Sequence, residues 1–399
     1  MTDYRETILI LNGGHGEIPL INAARDLGFR VLTTGYDGSA PGHSLADEYI
    51  PADFSDHKAI LDIARQREIV GIVSSCNDFA AITAARVCEK LGLPGHDSGE
   101  TCVTLHHKDR FRILMESLDL PSIKAFRVSD AREIREAMAV LDSPVIVKPI
   151  DLTGGKGMSV CRNMADVVSA VDRARNVSRV GRVLIEEYLQ GTHHGFTCFI
   201  ASGVVKWWFC DDEQYFLNPF LVAGTSTPSS LDPEAIKVLV SSVESIAKEL
   251  SLVDGLVHVQ CVLDDSGPRI IELCRRCPGD LYPDFVRWST SDPYAQWVVQ
   301  SELGKQVSFT SGEKPPRFTV RHCAMSTANG TFRGTYISGE SISHVVDRVP
   351  LVQPNHAVTD FVTEKQEILF FIFPRRHDQE KHLAKRDDNV RVLIDLERA

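Results

Sequence analysis

Along the first hundred residues the hydrophobic positions switch between two periods. Thr7 to Leu11 is a continuous apolar run that ends in Asn12-Gly13-Gly14-His15-Gly16, and Ile18 to Leu27 then places apolar residues at helical spacing. Arg30 to Thr34 and Ile69 to Ser74 read as further short strands, and an amphipathic helix is expected through Ala80 to Leu91. Strands that are apolar throughout and separated by helices predict a parallel sheet covered on both faces.

The pattern changes near Thr104. A polar helix carries Lys108, Arg110 and Arg112, followed by a strand near Ala125 to Val128 and a helix over Asp130 to Leu141 that Ser129 or Asp130 can cap. Val145 to Val147 is a buried strand ending at Lys148-Pro149. After it come a glycine-rich loop, Thr153 to Ser159, and strands at Val160 to Arg162 and Val183 to Ile185. Phe199 to Phe209 reads as strand, turn and strand around Ser202-Gly203, and Asp211 to Asp232 as a long ordered loop. A helix over Pro233 to Leu250 precedes two strands, Val257 to Leu263 and Arg269 to Leu273. The last ninety residues, from Phe318, read as strands and turns with a helical stretch near Asp378 to Lys385.

Composition narrows the function. The 399 residues suffice for two or three domains, and a formal charge of −11 argues against a broad nucleic-acid surface. Met1 to Asn12 lacks the basic flank and apolar core of an export signal, and no stretch approaches the roughly 20 apolar residues of a membrane span. The ten cysteines lie in apolar segments, which suits buried thiols in a reducing compartment. A cytoplasmic protein with no membrane or nucleic-acid partner is expected.

Three features carry chemistry. Lys108 and Lys148 offer compact charges suited to phosphate oxygens. The loop Gly154-Gly155-Lys156-Gly157 lets backbone N–H groups approach phosphate closely, although the strand after it rules out a Walker-type loop. Gln260 and Glu272 lie on adjacent strands whose hairpin can bring both side chains to one face, where a carboxylate and an amide oxygen suit magnesium. Cys274 and Cys277 form a lone C-x-x-C with no second pair for a zinc site, and two buried thiols are the expected reading. Gly13 to Gly16 imitates a dinucleotide fingerprint, but Pro19 stands where a third glycine belongs.

In this order, the features resemble the ATP-grasp superfamily, with biotin carboxylase, carbamoyl-phosphate synthetase and the amino acid ligases as the nearest general likeness. The resemblance implies a multidomain α/β and α+β chain. An N-terminal parallel sheet would occupy residues 1–104, a two-part ATP-grasp domain 105–310 with its lid at about 105–181, and a mostly β region 311–399. It implies that Lys108, Lys148 and Gly154, Gly155, Lys156 and Gly157 meet the ATP phosphates. The hinge Leu184 to Leu189 would hold adenine, with Glu186 accepting from the exocyclic amine, Glu187 beside it and the Leu189 backbone facing the ring. His193 or His194 would meet the ribose. Gln260 and Glu272 would bind Mg2+, for which Mn2+ could substitute, and Arg276 would steady the transferring group. Cys274 departs from the family's usual Asn at a metal position, and a thiol is a poor ligand for magnesium.

The implied activity is an ADP-forming ligase that activates a small carboxylate as an acyl phosphate for attack by an amine, and a homodimer is compatible with it. His258, Arg275 and Arg321 are candidates for holding a substrate carboxylate. Three alternatives stay open: a carboxylase using bicarbonate, a catalytically impaired ATP-binding regulator, and a dehydrogenase or ligand-binding module built on the N-terminal sheet.

Overall fold

The computed structural model describes residues 5–309 and 316–396. Strands β1 (Thr7–Leu11), β2 (Arg30–Gly35), β3 (Glu48–Pro51) and β4 (Gly71–Val73) form a parallel sheet in the order β3-β2-β1-β4. The apolar run in β1 serves two cores at once. Ile8 and Ile10 pack on one face with Leu20 and Ile21, while Leu9 and Leu11 pack on the other with Ile60, Ala80 and Ala84. Such two-sided burial is why this strand has no polar alternation. The glycines after β1 permit a tight turn: a Cβ on Gly13 would sit 2.2 Å from the His43 ring, so a side chain there would clash.

Trp297 and Val298, on the helix Tyr294–Glu302, belong to the same core as Ile8 and Ile10. At its end, Glu302 accepts from the Ser74 backbone N–H (2.5 Å) and hydroxyl (2.8 Å). Burial pushes the Glu302 carboxyl up to about 8 against these two donors. A raised value in the folded state means a contribution that is complete below the ordinary carboxyl range and is lost as pH climbs towards 8. Glu302→Gln keeps the shape and removes the titration. Urea denaturation at pH 5 and pH 8 should therefore show the wild type losing about 2–4 kcal/mol more than the variant over that interval.

The next four strands build a small antiparallel sheet: β5 (Ala125–Val128), β6 (Val145–Pro149), β7 (Ser159–Cys161) and β8 (Val183–Glu187), in the order β5-β8-β6-β7. Helices Ala131–Val140, capped by Asp130, and Met164–Val177, capped by Asn163, close one face over Val145, Val147 and Ile185. The strand β8, just past residue 181, is an inner strand of this sheet.

The remaining strands are β9 (Thr192–Ala201), β10 (Val204–Tyr215), β11 (Val222–Thr227), β12 (Gly255–Asp264), β13 (Gly267–Cys274), β14 (Phe318–Ala324), β15 (Gly330–Ile337), β16 (Val345–Pro350), β17 (Ala357–Val358), β18 (Glu367–Phe373) and β19 (Val390–Asp395). Eight of them make one large sheet in the order β13-β12-β9-β10-β11-β14-β18-β16, and β17-β15-β19 make a small one. Ser202 and Gly203 join β9 to β10 with positive φ at both positions (53° and 73°), the two-residue turn that matches hairpin twist.

One expectation is corrected here. The segment Asp211 to Asp232 is half strand, since β10 runs on to Tyr215 and β11 begins at Val222. From Phe318 on, β14, β18 and β16 extend the large sheet, with β14 paired to β11. Among the described residues, no helix is long and apolar enough to cross a membrane.

Candidate active site

One cleft lies between the small sheet and the large one. Lys108, Lys148, Gln260 and Glu272 all line it. Lys108 opens the helix Lys108–Ser117; its Nζ donates to the Leu152 carbonyl at 2.8 Å and stands 3.6 Å from Glu272 Oε2. Lys148 ends β6 and is 2 % exposed, ion-paired with Glu186 on the neighbouring β8. Arg112 completes the cluster, donating from Nε to Glu186 Oε1 at 2.9 Å and from Nη2 to the Ile271 carbonyl at 2.7 Å. Burial pushes the Lys148 ammonium down to about 8, and the Glu186 carboxylate opposes that shift. Burial alone would raise Glu186, but Arg112 and Lys148 outweigh it and hold its carboxyl below the usual range.

This pairing revises the expected role of Glu186. Its carboxylate is the counter-ion of two buried cations, so it acts on the cleft through Lys148 rather than as an uncommitted acceptor. Glu187 is likewise engaged, accepting from the Lys124 N–H (2.9 Å) and Arg269 (2.8 Å). Leu189 and His193 line the cleft. His194 does not: alternation along β9 turns it to the opposite side, where its ring meets Asp212 (2.8 Å) and Thr192 (2.7 Å). In the glycine loop, Thr153, Gly154, Gly155 and Met158 line the cleft, while Lys156 is exposed away from it. Gly154, Gly155 and Gly157 all have φ near +70°, a conformation that resists side chains. Gly157 packs against Val177 and Pro149 rather than the cleft.

Gln260 and Glu272 face each other in register across β12 and β13. The Gln260 Nε2 donates to Glu213 Oε1 at 2.7 Å, which leaves the amide oxygen as the group able to meet a cation. Among the described residues no group of three or more His, Cys, Asp or Glu side chains is arranged to hold a metal. One carboxylate and one amide oxygen are nevertheless a suitable share for magnesium, which keeps several waters and phosphate oxygens. Burial pushes the Cys274 thiol up to about 12, and a thiol is a poor partner for a hard cation such as magnesium.

A second cavity of about 250 Å3 adjoins the cleft and shares Thr153, Gly154, Gln260 and Glu272 with it. Its walls come from both large units: Cys76, Asn77 and Asp78 from the N-terminal segment, and Glu213, His258, Arg276 and Arg321 from the rest. Asp78 and Arg276 pair through two bonds of 3.1 and 3.0 Å. The arginine and its neighbours outweigh burial and hold the Asp78 carboxyl down to about 2. The His258 Nδ1 lies 2.6 Å from the Thr197 hydroxyl, which also contacts Tyr282, and Tyr282 donates to Asp211. Burial, aided by Arg276 and Arg321, lowers His258 to about 3 and keeps it neutral. A Cβ on Gly195 would lie 2.7 Å from Asp211 Oδ2, so glycine makes room for that buried carboxyl.

Arg275 is the clear misassignment among the substrate candidates. Its guanidinium is consumed by Asp97 (2.7 Å) and by the Leu256 and Val253 carbonyls (2.6 Å each), outside the cavity. Arg112, Asp78 and Glu213 went unrecognised from sequence. For Glu213 a signal existed: Trp207, Phe209, Asp211 and Glu213 recur at every second position, the period of a strand extending past its apolar half.

Comparison with known proteins places this geometry. Residues 107–197 match the family described as the carbamoyl-phosphate synthase L chain ATP-binding domain, and residues 21–95 match the ATP-grasp N-terminal domain. A formate-dependent phosphoribosylglycinamide formyltransferase of Paraburkholderia xenovorans (strain LB400) is 28% identical over 225 residues, which cover 53% of this chain and 54% of that protein. The chain thus spans about half the length of the curated relatives it matches. An L-amino acid ligase from Bacillus licheniformis superposes with a TM-score of 0.82 at 18% identity, over 99% of this chain and all of that one. Phosphoribosylglycinamide synthetase from Anaerococcus prevotii does so at 0.78 and 19% identity, over 98% and 100%.

Proposed function

The chain is an ATP-grasp protein, carrying the superfamily's N-terminal and ATP-binding domains, and from that premise we propose that it is an ATP- and magnesium-dependent ligase. It would activate a small carboxylate as an acyl phosphate, release ADP, and join the acyl group to an amine. The observation that carries this reading is the convergence of Lys108, Lys148, Gln260 and Glu272 on one cleft that opens into a second, polar cavity.

Lys108 and Lys148 neutralise phosphate oxygens from the small-sheet side, and the N–H groups of the 153–155 loop cover them. Gln260 and Glu272 would hold the magnesium ion, which when bound would supply charge neutralisation of the phosphates. Arg276, fixed by Asp78, lines the second cavity and would stabilise negative charge as the phosphoryl group moves to the carboxylate. The leucine-bearing hinge end, Leu189, offers its backbone to the adenine edge, with His193 at the ribose. The second cavity then holds the amine next to the acyl phosphate and excludes water that would hydrolyse it.

Coupled measurement of ADP release, with pools of carboxylates and amines, tests the activity. Release stimulated by no pool, with ATP still bound, favours the regulator reading instead. Lys148→Ala is expected to weaken ATP binding by on the order of a hundredfold, because a buried charge-assisted contact is lost and Glu186 then faces the phosphates with less compensation. Affinity within twofold of wild type, read by calorimetry, would remove Lys148 from the phosphate site.

A further inference from the structure

The charges lining the second cavity are nearly all spoken for. Asp78 is paired with Arg276, and Asp280 with Lys365. Glu272 stands against Lys108 and the metal position. Two charged side chains are in no close ion pair among the described residues, although each feels the other's charge. Arg321 is 3 % exposed; its Nη1 donates to the Gly279 and Asp280 carbonyls at 3.1 and 3.0 Å. Its buried Nε has no hydrogen-bond partner among the described residues, and no carboxylate there lies within ion-pairing distance. A buried guanidinium edge left open in this way is costly unless a ligand completes it. Glu213 is the opposite charge: its partners, Gln260 and Tyr215, are neutral.

These two side chains are in register across the large sheet. Glu213 of β10 is opposite Thr225 of β11, and Thr225 is opposite Arg321 of β14. All three therefore share one face, on a line about two strand spacings, or about 10 Å, long between the outer backbones. The middle residue adds a second orphan, since the buried Thr225 hydroxyl also has no partner among the described residues. The row reads carboxylate, hydroxyl, guanidinium. It complements a ligand with a positive and a negative end a few ångströms apart, and Arg321, the one cavity-lining cation outside an ion pair among the described residues, stands beside several carboxylates, which disfavours a multiply charged anion such as a phosphate ester.

We propose that this cavity takes an α-amino acid as the amine nucleophile, its carboxylate in the open fork of Arg321 and against the Thr225 hydroxyl, its ammonium beside Glu213. The proposal rests on the ligase reading and names its acceptor. One ammonium proton leaves to solvent, and the freed nitrogen pair forms the C–N bond at the acyl carbon. The C–O bond to phosphate breaks, its electron pair leaves with inorganic phosphate, and the second nitrogen proton leaves with that phosphate.

Equilibrium dialysis of the full chain with Mg2+, a non-hydrolysable ATP analogue and each of the twenty standard amino acids tests the assignment. At least one amino acid should be retained, and its decarboxylated amine and its carboxamide should bind about thirtyfold more weakly, as expected for losing a charged hydrogen-bond pair. Arg321→Ala should weaken the amino acid by a similar factor and leave the ATP analogue within twofold. Arg321→Lys, which keeps the buried charge and guards against misfolding, should give an intermediate loss. Retention of no amino acid while the analogue binds overturns the proposal, as does an amine that binds as tightly as its amino acid or an unchanged affinity in both variants. Failure of the analogue itself to bind would instead bring down the ligase reading on which the proposal stands.

Discussion

Arg276→Ala should abolish ADP formation and loosen the molecule in the same step. The side chain is buried between the exit of β13 and the N-terminal segment, where two hydrogen bonds join it to Asp78. Removing one member of a buried ion pair leaves the other without compensation, at a cost of about 3–5 kcal/mol. Asp78, otherwise held down to about 2 chiefly by this arginine against burial, would shift upward and take a proton more readily. A lowered folded-state value means stability that is present at neutral pH and lost as pH falls towards 2, so the variant should surrender part of its acid resistance. Turnover should fall by on the order of a thousandfold, the scale of losing an electrostatic partner of the transferring group. Arg276→Lys separates the two effects, since a lysine can keep one contact to Asp78 without the planar fork. If Arg276→Ala turned over normally despite a lower melting temperature, Arg276 would be a structural tie alone.

Glu272→Gln should be nearly as damaging to turnover and nearly harmless to the fold. The carboxylate is partly accessible in the cleft, 3.6 Å from Lys108 and directly opposite Gln260. Glutamine preserves volume and an acceptor oxygen but removes the charge that would anchor a divalent cation. ADP formation is expected to drop by at least about a hundredfold, with the requirement for Mg2+ shifted to higher concentration and unfolding by urea almost unchanged. A Mg2+ titration of activity reads this directly. An unshifted titration would move the metal to other oxygen ligands, with Glu213, which accepts a hydrogen bond from Gln260, the carboxylate to test next.

How much of this could be read from the chain depends on which interactions are local. The apolar run of β1, the Asp130 cap and the Ser202-Gly203 turn are written in adjacent residues, and they fold as the spacing predicts. Lys148 after Val-Ile-Val and the Gln260–Glu272 hairpin were also legible, because strand ends and hairpin partners are close in sequence. Glu186 shows the limit. Its motif marked a hinge, but its two cations come from Arg112, 74 residues away, and from Lys148 on the next strand. His193 and His194 could be separated only once the strand's facing was known. Arg275 and Arg276, adjacent in the chain, end in different environments for the same reason: consecutive side chains at a strand's end leave in opposite directions. The continuation of the large sheet into β14, β18 and β16 joins β11 to a strand about ninety residues further along the chain, and no local signal announces such pairing.

That continuation has a practical outcome. Gln260 and Glu272 stand at one margin of the eight-stranded platform, whereas Arg321 is carried by β14, four strands from β12. On the ligase reading, the guanidinium that would meet the incoming amine's carboxylate thus sits on a different strand from the two metal-side residues, so a substitution at 321 can alter which amine is accepted without touching positions 260 and 272.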